Sequence, residues 1–388
     1  MRKIYDPLYK FISIEPLLQV IIDTFEFQRL RDIKQLGATH YVFPSATHTR
    51  FEHSIGVAYL AEQLILNLKV SQPELCITDN MVLLVKIAGL IHDIGHGPYS
   101  HLYDHYVKDE YEDEHEVRGI EIFIRMVEKY NIGLSKEDVN VIIDLVEPSE
   151  SVKNNWYYQI VNNKVNTIDV DKLDYIRRDC FHLNMPLNCE IERLLYDVKV
   201  VNYNNNMVLA WNEKLQFDIY NLFACRYKLH KQVYSHHTVK AIEYVLVDIM
   251  KEIKKNVEFI KLTDSVITSY MIHNNINIIS ERQHPRLIGE KLILDDVNTI
   301  NIDKNDKYIY DKINIGFTTG EKENPLSNVY YFNKTSVDGF RVEINDLSFL
   351  IPDKFKETII RLYKKTSDVD EKDKIILNNI LNNINFYI

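Results

Sequence analysis

The chain has 388 residues, of which 46% are hydrophobic, enough for one large core or for a core with a smaller lobe. Its formal net charge of −10 disfavours nucleic acid as a partner without excluding it, because broad nucleic-acid binding depends on neutralising phosphates with Lys and Arg. No segment has the roughly 18 uncharged apolar residues of a membrane span and no signal-peptide run opens the chain, so we expect no membrane partner and a cytoplasmic or nuclear location.

Helical periodicity comes first along the chain and continues to about residue 256. Residues 54–69 carry an apolar face at helical spacing, and residues 81–91 are almost entirely apolar, as in a buried helix. A capping box begun by Ser135 predicts a helix through residue 145. The remaining predicted elements of this part are helices at 114–130, 215–231 and 238–254, and a hairpin at 196–201 and 207–211 that turns on Asn204 and Asn205.

The pattern changes after about residue 261, where short alternating segments predict a small sheet. These strands are predicted at 291–302, 308–315, 328–332 and 340–344, and two closing helices at 353–365 and 371–383. We therefore predict a mainly α fold, with a helical core over residues 1–256 and a smaller C-terminal α+β lobe over residues 257–388. The smaller lobe is the expected oligomerisation and allosteric part.

The adjacent pair His92 and Asp93 ends the buried helix and is followed by two glycines and a proline. Imidazole and carboxylate both bind first-row metals, but neighbouring helical residues point about 100° apart and cannot complete a metal's shell. His53, just before an amphipathic helix, and Asp171, on another predicted helix, supply the missing ligands. Four such ligands would leave an octahedral metal open positions for water and a phosphate oxygen. Any one of these histidines, taken alone, is as easily a hydrogen-bonded core residue.

Several ordered segments resemble the HD phosphohydrolase superfamily and, within it, the SAM-and-HD-domain dNTP triphosphohydrolases. The superfamily segments are 50–56, 92–101, 114–116 and 169–179. The closer resemblance is carried by 23–31, 33–37, 41–44, Arg226, His230 and 234–236. It weakens after about residue 256. The resemblance implies an HD-domain helical core, and we expect the chain to represent that catalytic core without a preceding sterile-alpha-motif domain.

The reaction implied by the resemblance is attack of water on the α-phosphorus of a deoxynucleoside triphosphate, which releases the deoxynucleoside and intact triphosphate. The implied metal ligands are His53, His92, Asp93 and Asp171, which would hold one divalent transition metal. Ligands of these types do not distinguish Fe, Mn, Zn and Ni. Mg²⁺ would accompany the nucleotide. Asp169 is expected to orient a metal ligand. The implied catalytic residues are His96, His101, His115 and Asp104, with His115 as the proton donor and Asp104 or Glu116 orienting it.

The resemblance also assigns residues to the substrate. Arg50, Lys172 and Arg226 would hold the triphosphate, and Tyr234 would lie near the base and sugar. Gln35, Leu36, Tyr175 and Asp179 would surround the deoxyribose. The bulk of Leu36 beneath C2′ would exclude a 2′-hydroxyl by leaving it neither room nor a partner.

An allosteric nucleotide site at an oligomer interface is a further implication. Its residues would be Asp23, Gln28, Arg31, Arg282, Arg286 and Lys334, with GTP or a dNTP as activator and a homodimer or homotetramer as the assembly. Ser235 and Gly339 depart from the family pattern, and these departures leave the activator and the need for a tetramer open.

Two other functions remain open at this point. One is an HD phosphohydrolase that acts on another nucleotide or on a nucleic-acid end, which would use the same metal ligands. The other is a non-catalytic nucleotide-sensing oligomer, against which the complete ligand set and His115 argue. Arg177 and Arg178 are interpreted as ion-paired surface residues, and His48 as a surface or packing residue.

Overall fold

The computed structural model describes residues 2–109, 113–293, 307–316, 324–336, 338–343, 346, 355–366 and 369–382, and it confirms a mainly α fold. The helices are α1 Pro16–Ile22, α2 Phe25–Gln28, α3 Arg50–Ser71, α4 Asp79–Ile91, α5 His101–Tyr106, α6 His115–Lys129, α7 Lys136–Val146, α8 Val170–Leu183, α9 Ile191–Tyr196, α10 Gln216–Leu229, α11 His237–Lys254, α12 Asp264–His273 and α13 Glu371–Asn382. The strands are β1 Arg2–Asp6, β2 Lys10–Ile14, β3 Val198–Tyr203, β4 Asn206–Asn212, β5 Arg286–Ile293, β6 Tyr308–Gly316, β7 Tyr331–Phe332 and β8 Lys356–Lys364. No helix in these ranges has the length and apolar character needed to cross a bilayer.

Three helices, α3, α4 and α8, position the residues predicted to carry the chemistry. Helix α3 begins at a capping box in which the Thr49 backbone N–H donates to Glu52 Oε1 at 2.9 Å. Helix α8 begins at Asp169, whose Oδ1 accepts the Lys172 N–H at 2.9 Å. The caps place the start of α3 at Arg50, four residues before the predicted start, so His53 lies inside this helix. Both helices pack in one apolar core with α4.

An antiparallel hairpin, β1–β2, precedes these helices and was not among the predicted elements. Its turn is closed by Asp6, whose Oδ1 accepts the backbone N–H groups of Leu8 at 2.8 Å and Tyr9 at 3.0 Å. The hairpin predicted at 196–201 and 207–211 is confirmed as β3–β4, with Asn204 and Asn205 at φ of 50° and 66°. Positive φ at both central residues is what a tight hairpin turn requires.

The predicted helix at 353–365 is wrong, because Lys356–Lys364 forms strand β8. This strand lies between β5 and β6 and pairs antiparallel with both. Six consecutive residues from 358 to 363 are buried, so the polar alternation that marks a half-exposed strand is missing. The β-branched run Thr358, Ile359 and Ile360 was the available strand signal.

The other C-terminal predictions had mixed outcomes: the strand predicted at 328–332 is only the short β7, and the one predicted at 340–344 is an isolated bridge at Phe340. The strand at 308–315 and the helix at 371–383 are confirmed as β6 and α13. The strand expected at 291–302 begins earlier, as β5, and its part beyond residue 293 lies outside the described residues. Two contacts join residues from the two sides of position 256. Strand β7 pairs parallel with β4. Met271 of α12 packs in one cluster with Tyr103 of α5. The division of the chain at residue 256 stays a prediction.

Replacing Ile360 by Ala tests the strand assignment. Its side chain is 1% exposed in the middle of β8, so the truncation should lower the free energy of unfolding by about 2–5 kcal/mol. Ile375→Ala is the control, because Ile375 is 58% exposed on α13 and should cost far less. Denaturant unfolding of both variants measures the difference; equal losses would contradict the buried position of Ile360.

Candidate active site

The amino end of α3, the carboxyl end of α4 and the amino end of α8 meet around His53, His92 and Asp171. One ligand atom from each of these residues lies within 4.8 Å of the other two. Asp171 Oδ1 is 3.0 Å from His53 Nε2 and 3.4 Å from His92 Nε2. Three residues that are far apart in sequence therefore converge as a set that could hold one metal ion.

The opposite nitrogen of each imidazole is already held by the protein. His53 Nδ1 lies 2.7 Å from Asp174 Oδ2, and His92 Nδ1 lies 2.8 Å from the carbonyl oxygen of Gly89. An Nδ1–H donated to these oxygens leaves the lone pair on Nε2, the nitrogen that faces Asp171. His92 Nε2 is buried and has no hydrogen-bond partner among the described residues. These donors fit a divalent first-row metal, which takes neutral imidazole and carboxylate.

Asp93 lies beside this set and joins it to a second one. Its Oδ2 is 3.5 Å from His53 Nε2, and its Oδ1 is 3.5 Å from His92 Nε2 and 3.2 Å from His96 Nε2. Its Oδ2 also pairs with the buried Arg50 guanidinium. Burial raises the pKa of Asp93, but Arg50 and the neighbouring imidazoles outweigh it and hold the pKa well below its ordinary value.

The second set consists of His96, His101, Asp104 and His115, whose polar atoms also lie within 4.8 Å of one another. The rings of His96 and His115 stack with centroids 3.8 Å apart. Burial, together with the nearby charge of Arg50, holds the pKa of His96 well below its ordinary value, so its ring is neutral at neutral pH. His101 is the exposed member of the set.

His115 is oriented by a buried carboxylate. Its Nδ1 is 3.0 Å from Asp104 Oδ2 and 3.4 Å from Glu116 Oε2, and the side chain of Asp104 is 1% exposed against 38% for Glu116. Arg118 pairs with the other oxygen of Asp104 and donates to the carbonyl of Gly95 at 2.9 Å. The sequence interpretation missed Arg118; its position one helical turn after His115 was the available signal.

A close backbone approach sets the position of His115. A Cβ at Gly95 would collide with the carbonyl oxygen of His115 and with the backbone of Gly119. Only a glycine at residue 95 therefore lets the amino end of α6 rest against the loop that follows α4. Arg29 fastens the same loop by donating to the carbonyl oxygens of Ile94 at 3.0 Å and His96 at 2.7 Å.

Several of the residues assigned to the sugar and base lie near the buried Asp179. The Tyr234 hydroxyl donates to Asp179 Oδ2, and His48 Nε2 lies 2.7 Å from Asp179 Oδ1. His48 is 2% exposed, so it packs inside the protein and holds a predicted substrate residue. Gln35 is buried and Leu36 half-buried on the adjoining loop, and the Gln35 N–H donates to the His48 carbonyl at 3.0 Å.

The residues assigned to the triphosphate are buried cations. Lys172 donates to the Thr167 carbonyl and lies over the Phe223 ring. Arg226 donates to the Gly316 carbonyl at 3.0 Å, and burial raises the pKa of the Tyr175 hydroxyl beside it. Arg50 pairs with Asp93, as described above. Their contact with a triphosphate stays a prediction.

The described contacts do not bring the proposed allosteric residues together in one place. Arg31 lies over the Phe51 ring at 3.5 Å and donates to Gln28 Oε1 at 2.9 Å, while Asp23 accepts from Arg2 at 3.2 Å. Arg2, Arg31 and Phe51 line a groove of about 450 Å³ that also runs along Asp6 and Glu52. Arg282 and Arg286 lie just before and at the start of β5, and Lys334 follows β7; all three are exposed, and the described contacts do not join them to the groove.

Comparison with known proteins agrees with this geometry. The HD domain family matches residues 50–179, which span His53 to Asp179. The chain is 32% identical to human deoxynucleoside triphosphate triphosphohydrolase SAMHD1, over 95% of this chain and 71% of that protein. It is 31% identical to the SAMHD1 homolog of Dictyostelium discoideum over 98% of this chain and 81% of that protein. It is also 31% identical to the putative HD domain-containing protein L394 of Acanthamoeba polyphaga mimivirus, over 97% of this chain and 95% of that protein.

Replacing His92 by Ala should abolish stoichiometric binding of a divalent transition metal. The variant loses one imidazole ligand of a set that has two, and Asp93→Ala should act in the same way. Elemental analysis of the purified variants measures the bound metal. His273→Ala, at the exposed end of α12, is the matched control and should keep the metal content of the parent chain. Full metal content in His92→Ala would remove His92 from the ligand set.

Proposed function

We propose that this chain, which belongs to the SAMHD1 family of HD-domain proteins, is a metal-dependent dNTP triphosphohydrolase that converts a deoxynucleoside triphosphate and water into the deoxynucleoside and intact triphosphate. The observation that carries the proposal is Asp93, whose carboxylate adjoins both the candidate metal ligands and the histidine cluster that could move a proton. A hydrolase of phosphate esters needs both functions within reach of one phosphorus atom.

The metal would be held by His53, His92, Asp93 and Asp171. When bound, a divalent metal supplies Lewis-acid polarisation of the phosphate and lowers the pKa of water. The side chain of Asp171 is 37% exposed while His53 is fully buried, so the phosphate would approach from the side of Asp171. Histidine and carboxylate ligands suit Fe, Mn, Zn and Ni alike, and Mg²⁺ would enter with the nucleotide.

His115 would protonate the leaving 5′-oxygen of the nucleoside. Its Nδ1 faces Asp104, so its Nε2 is the nitrogen that can donate a proton to the substrate. Arg118 keeps Asp104 charged: burial raises the pKa of Asp104, but His115 and Arg118 together lower it below its ordinary value. A charged Asp104 can accept the Nδ1–H of His115 and so hold the ring in the orientation that leaves Nε2 for the substrate. His96 and His101 would line the scissile phosphate beside it.

The nucleotide would lie between buried cations and the Asp179 group. Arg50, Lys172 and Arg226 would bind the triphosphate through charge-assisted hydrogen bonds. Gln35, Leu36, Tyr175, Asp179 and Tyr234 would contact the sugar and base. The contacts of Asp179 with Tyr234 and His48 support this part of the proposal, because they hold the carboxylate in one orientation before substrate arrives.

Regulation by a second nucleotide is part of the proposal. The groove beside Arg2 and Arg31 presents two guanidinium groups, which suit a phosphate. GTP or a dNTP would bind there with Asp23 and Gln28. Arg282, Arg286 and Lys334 would contribute in a homodimer or homotetramer.

A product assay with each dNTP and with GTP, in Mg²⁺ or Mn²⁺ and resolved by anion exchange, tests the reaction. We expect deoxynucleoside and intact triphosphate from dNTPs. Deoxynucleoside monophosphate and pyrophosphate would overturn the proposed leaving group while keeping a phosphohydrolase. No turnover of any nucleotide by metal-loaded protein would instead favour a nucleotide-sensing role.

Replacing His115 by Ala should lower kcat by about 10²–10⁴-fold while the metal content is kept, because the variant lacks the general acid but retains the metal ligands. Asp104→Asn should also lower kcat, whereas Glu116→Gln should do so less, because Glu116 is more exposed and more distant from His115. Single-turnover rates and elemental analysis measure the two effects. An unchanged rate in His115→Ala would remove His115 from this role.

A further inference from the structure

A buried chain of side chains runs from His53 to the amino-terminal hairpin. His53 Nδ1 lies 2.7 Å from Asp174 Oδ2. Arg178 donates two hydrogen bonds to the same carboxylate, from Nε to Oδ2 at 2.8 Å and from Nη2 to Oδ1 at 3.0 Å. Its third nitrogen, Nη1, donates to Asp6 Oδ2 at 2.9 Å. We call His53, Asp174, Arg178 and Asp6 the relay.

The relay is closed to solvent along its whole length. The residues His53, Asp174 and Arg178 are 0% exposed, and Asp6 is 3% exposed. Removing one partner from a buried ion pair strands the other charge, which is far more costly than losing a surface pair. Each member of the relay is therefore fixed by its neighbours, and the interpretation of Arg178 as a surface residue is wrong.

The β1–β2 hairpin contributes Asp6, the outer end of the relay, and its Tyr9 also contacts Asp174 in the middle of the relay. The Tyr9 hydroxyl donates to Asp174 Oδ1 at 2.8 Å. Asp6 Oδ1 accepts the backbone N–H of Tyr9 at 3.0 Å while Oδ2 accepts from Arg178. The β1–β2 turn thus binds both the carboxylate that faces His53 and the guanidinium that orients this carboxylate.

Helix α3 leaves room for the relay at Gly56, one helical turn after His53. A Cβ at this position would collide with the carboxylate of Asp174 and the guanidinium of Arg178. A glycine here lets the Asp174–Arg178 pair lie directly against the turn that carries His53.

Asp169, which was expected to orient a metal ligand, instead caps α8 by accepting the Lys172 N–H, and it also accepts the Asn163 N–H at 3.0 Å.

We propose that Asp174 is a positioning residue for His53 and that the hairpin, through Asp6, Tyr9 and Arg178, holds Asp174 in place. A carboxylate that accepts the Nδ1–H of a ligating histidine fixes the tautomer and the ring orientation and makes Nε2 a more basic ligand. The inference rests on the metal-binding part of the proposed function. It assigns the amino-terminal hairpin a role in metal affinity, about 170 positions away in sequence from the carboxylate that it secures.

The test uses the full chain, stripped with a chelator and titrated with Co²⁺ alone, with visible absorption as the readout of affinity and coordination. Asp174→Asn is isosteric but uncharged and should weaken Co²⁺ binding by about 10–100-fold. Arg178→Lys loses the paired hydrogen bonds to Asp174, and Tyr9→Phe loses one hydrogen bond to it. Each variant should bind Co²⁺ more weakly than the parent chain, and the loss should be smallest for Tyr9→Phe. His53→Ala defines the spectrum without this ligand.

Two surface variants are the matched controls. Arg193→Gln and Asp218→Asn remove one partner each from a surface ion pair in which the Arg193 side chain is 51% exposed, and they should bind Co²⁺ like the parent chain. Metal-free thermal unfolding and circular dichroism are measured on all variants. If Asp174→Asn or Tyr9→Phe unfolds at a lower temperature yet binds Co²⁺ with parental affinity and spectrum, the contact is only structural and the inference is overturned.

The same measurements separate this inference from the proposed function. If the parent chain binds Co²⁺ through His53 with an affinity that depends on Asp174, but releases no triphosphate from any dNTP, the relay stands and the proposed reaction fails. If dNTPs are hydrolysed but Asp174→Asn and the parent chain bind Co²⁺ equally, the reaction stands and the relay fails. Equal binding by His53→Ala and the parent chain would also overturn the inference.

Discussion

Buried carboxylates must be matched by positive charge, and this requirement shapes the centre of the protein. Asp93 and Asp174 are both almost fully buried beside His53, and each is paired with its own buried guanidinium, that of Arg50 or Arg178. These pairings leave the Nε2 atoms of the two candidate imidazole ligands free for Asp171 and for a cation. The surrounding helices therefore hold the ligand atoms in place, which is what a preorganised metal site needs.

The carboxylates of the two histidine clusters differ in their surroundings, and this difference fits the two roles proposed for the clusters. Asp171 is partly open to solvent between two imidazoles, which suits a site that a phosphate must reach. Asp104 is buried and paired with Arg118, which suits a group that orients His115. Asp93 connects the clusters, so a change at either one alters the electrostatics of the other.

The residues that hold the candidate site residues in place were harder to predict than the candidate site residues themselves. Arg178 was interpreted as a surface residue, and its burial depends on pairing both with Asp174, one helical turn away, and with Asp6, 172 positions away. Arg118 and Asp174 each lie one helical turn from a predicted site residue, so helical spacing contained a signal that was not used. His48 was assigned to the surface or to packing, and its contact with Asp179 depends on a helix that lies 131 positions further on.

The sequence by itself determined most of the longer helices, the β3–β4 hairpin and the types of candidate ligand, because periodicity, caps and turn residues act over a few positions. Only the tertiary structure decided which carboxylate faces which imidazole, as with Asp174 rather than Asp169 behind His53. It also decided that Lys356–Lys364 is a strand, because β5 and β6 pair with its two edges; residues 358–363 are buried on both faces, so the sequence lacks the polar alternation of a half-exposed strand. Burial and long-range pairing come from the packed chain, and local residue order does not encode them.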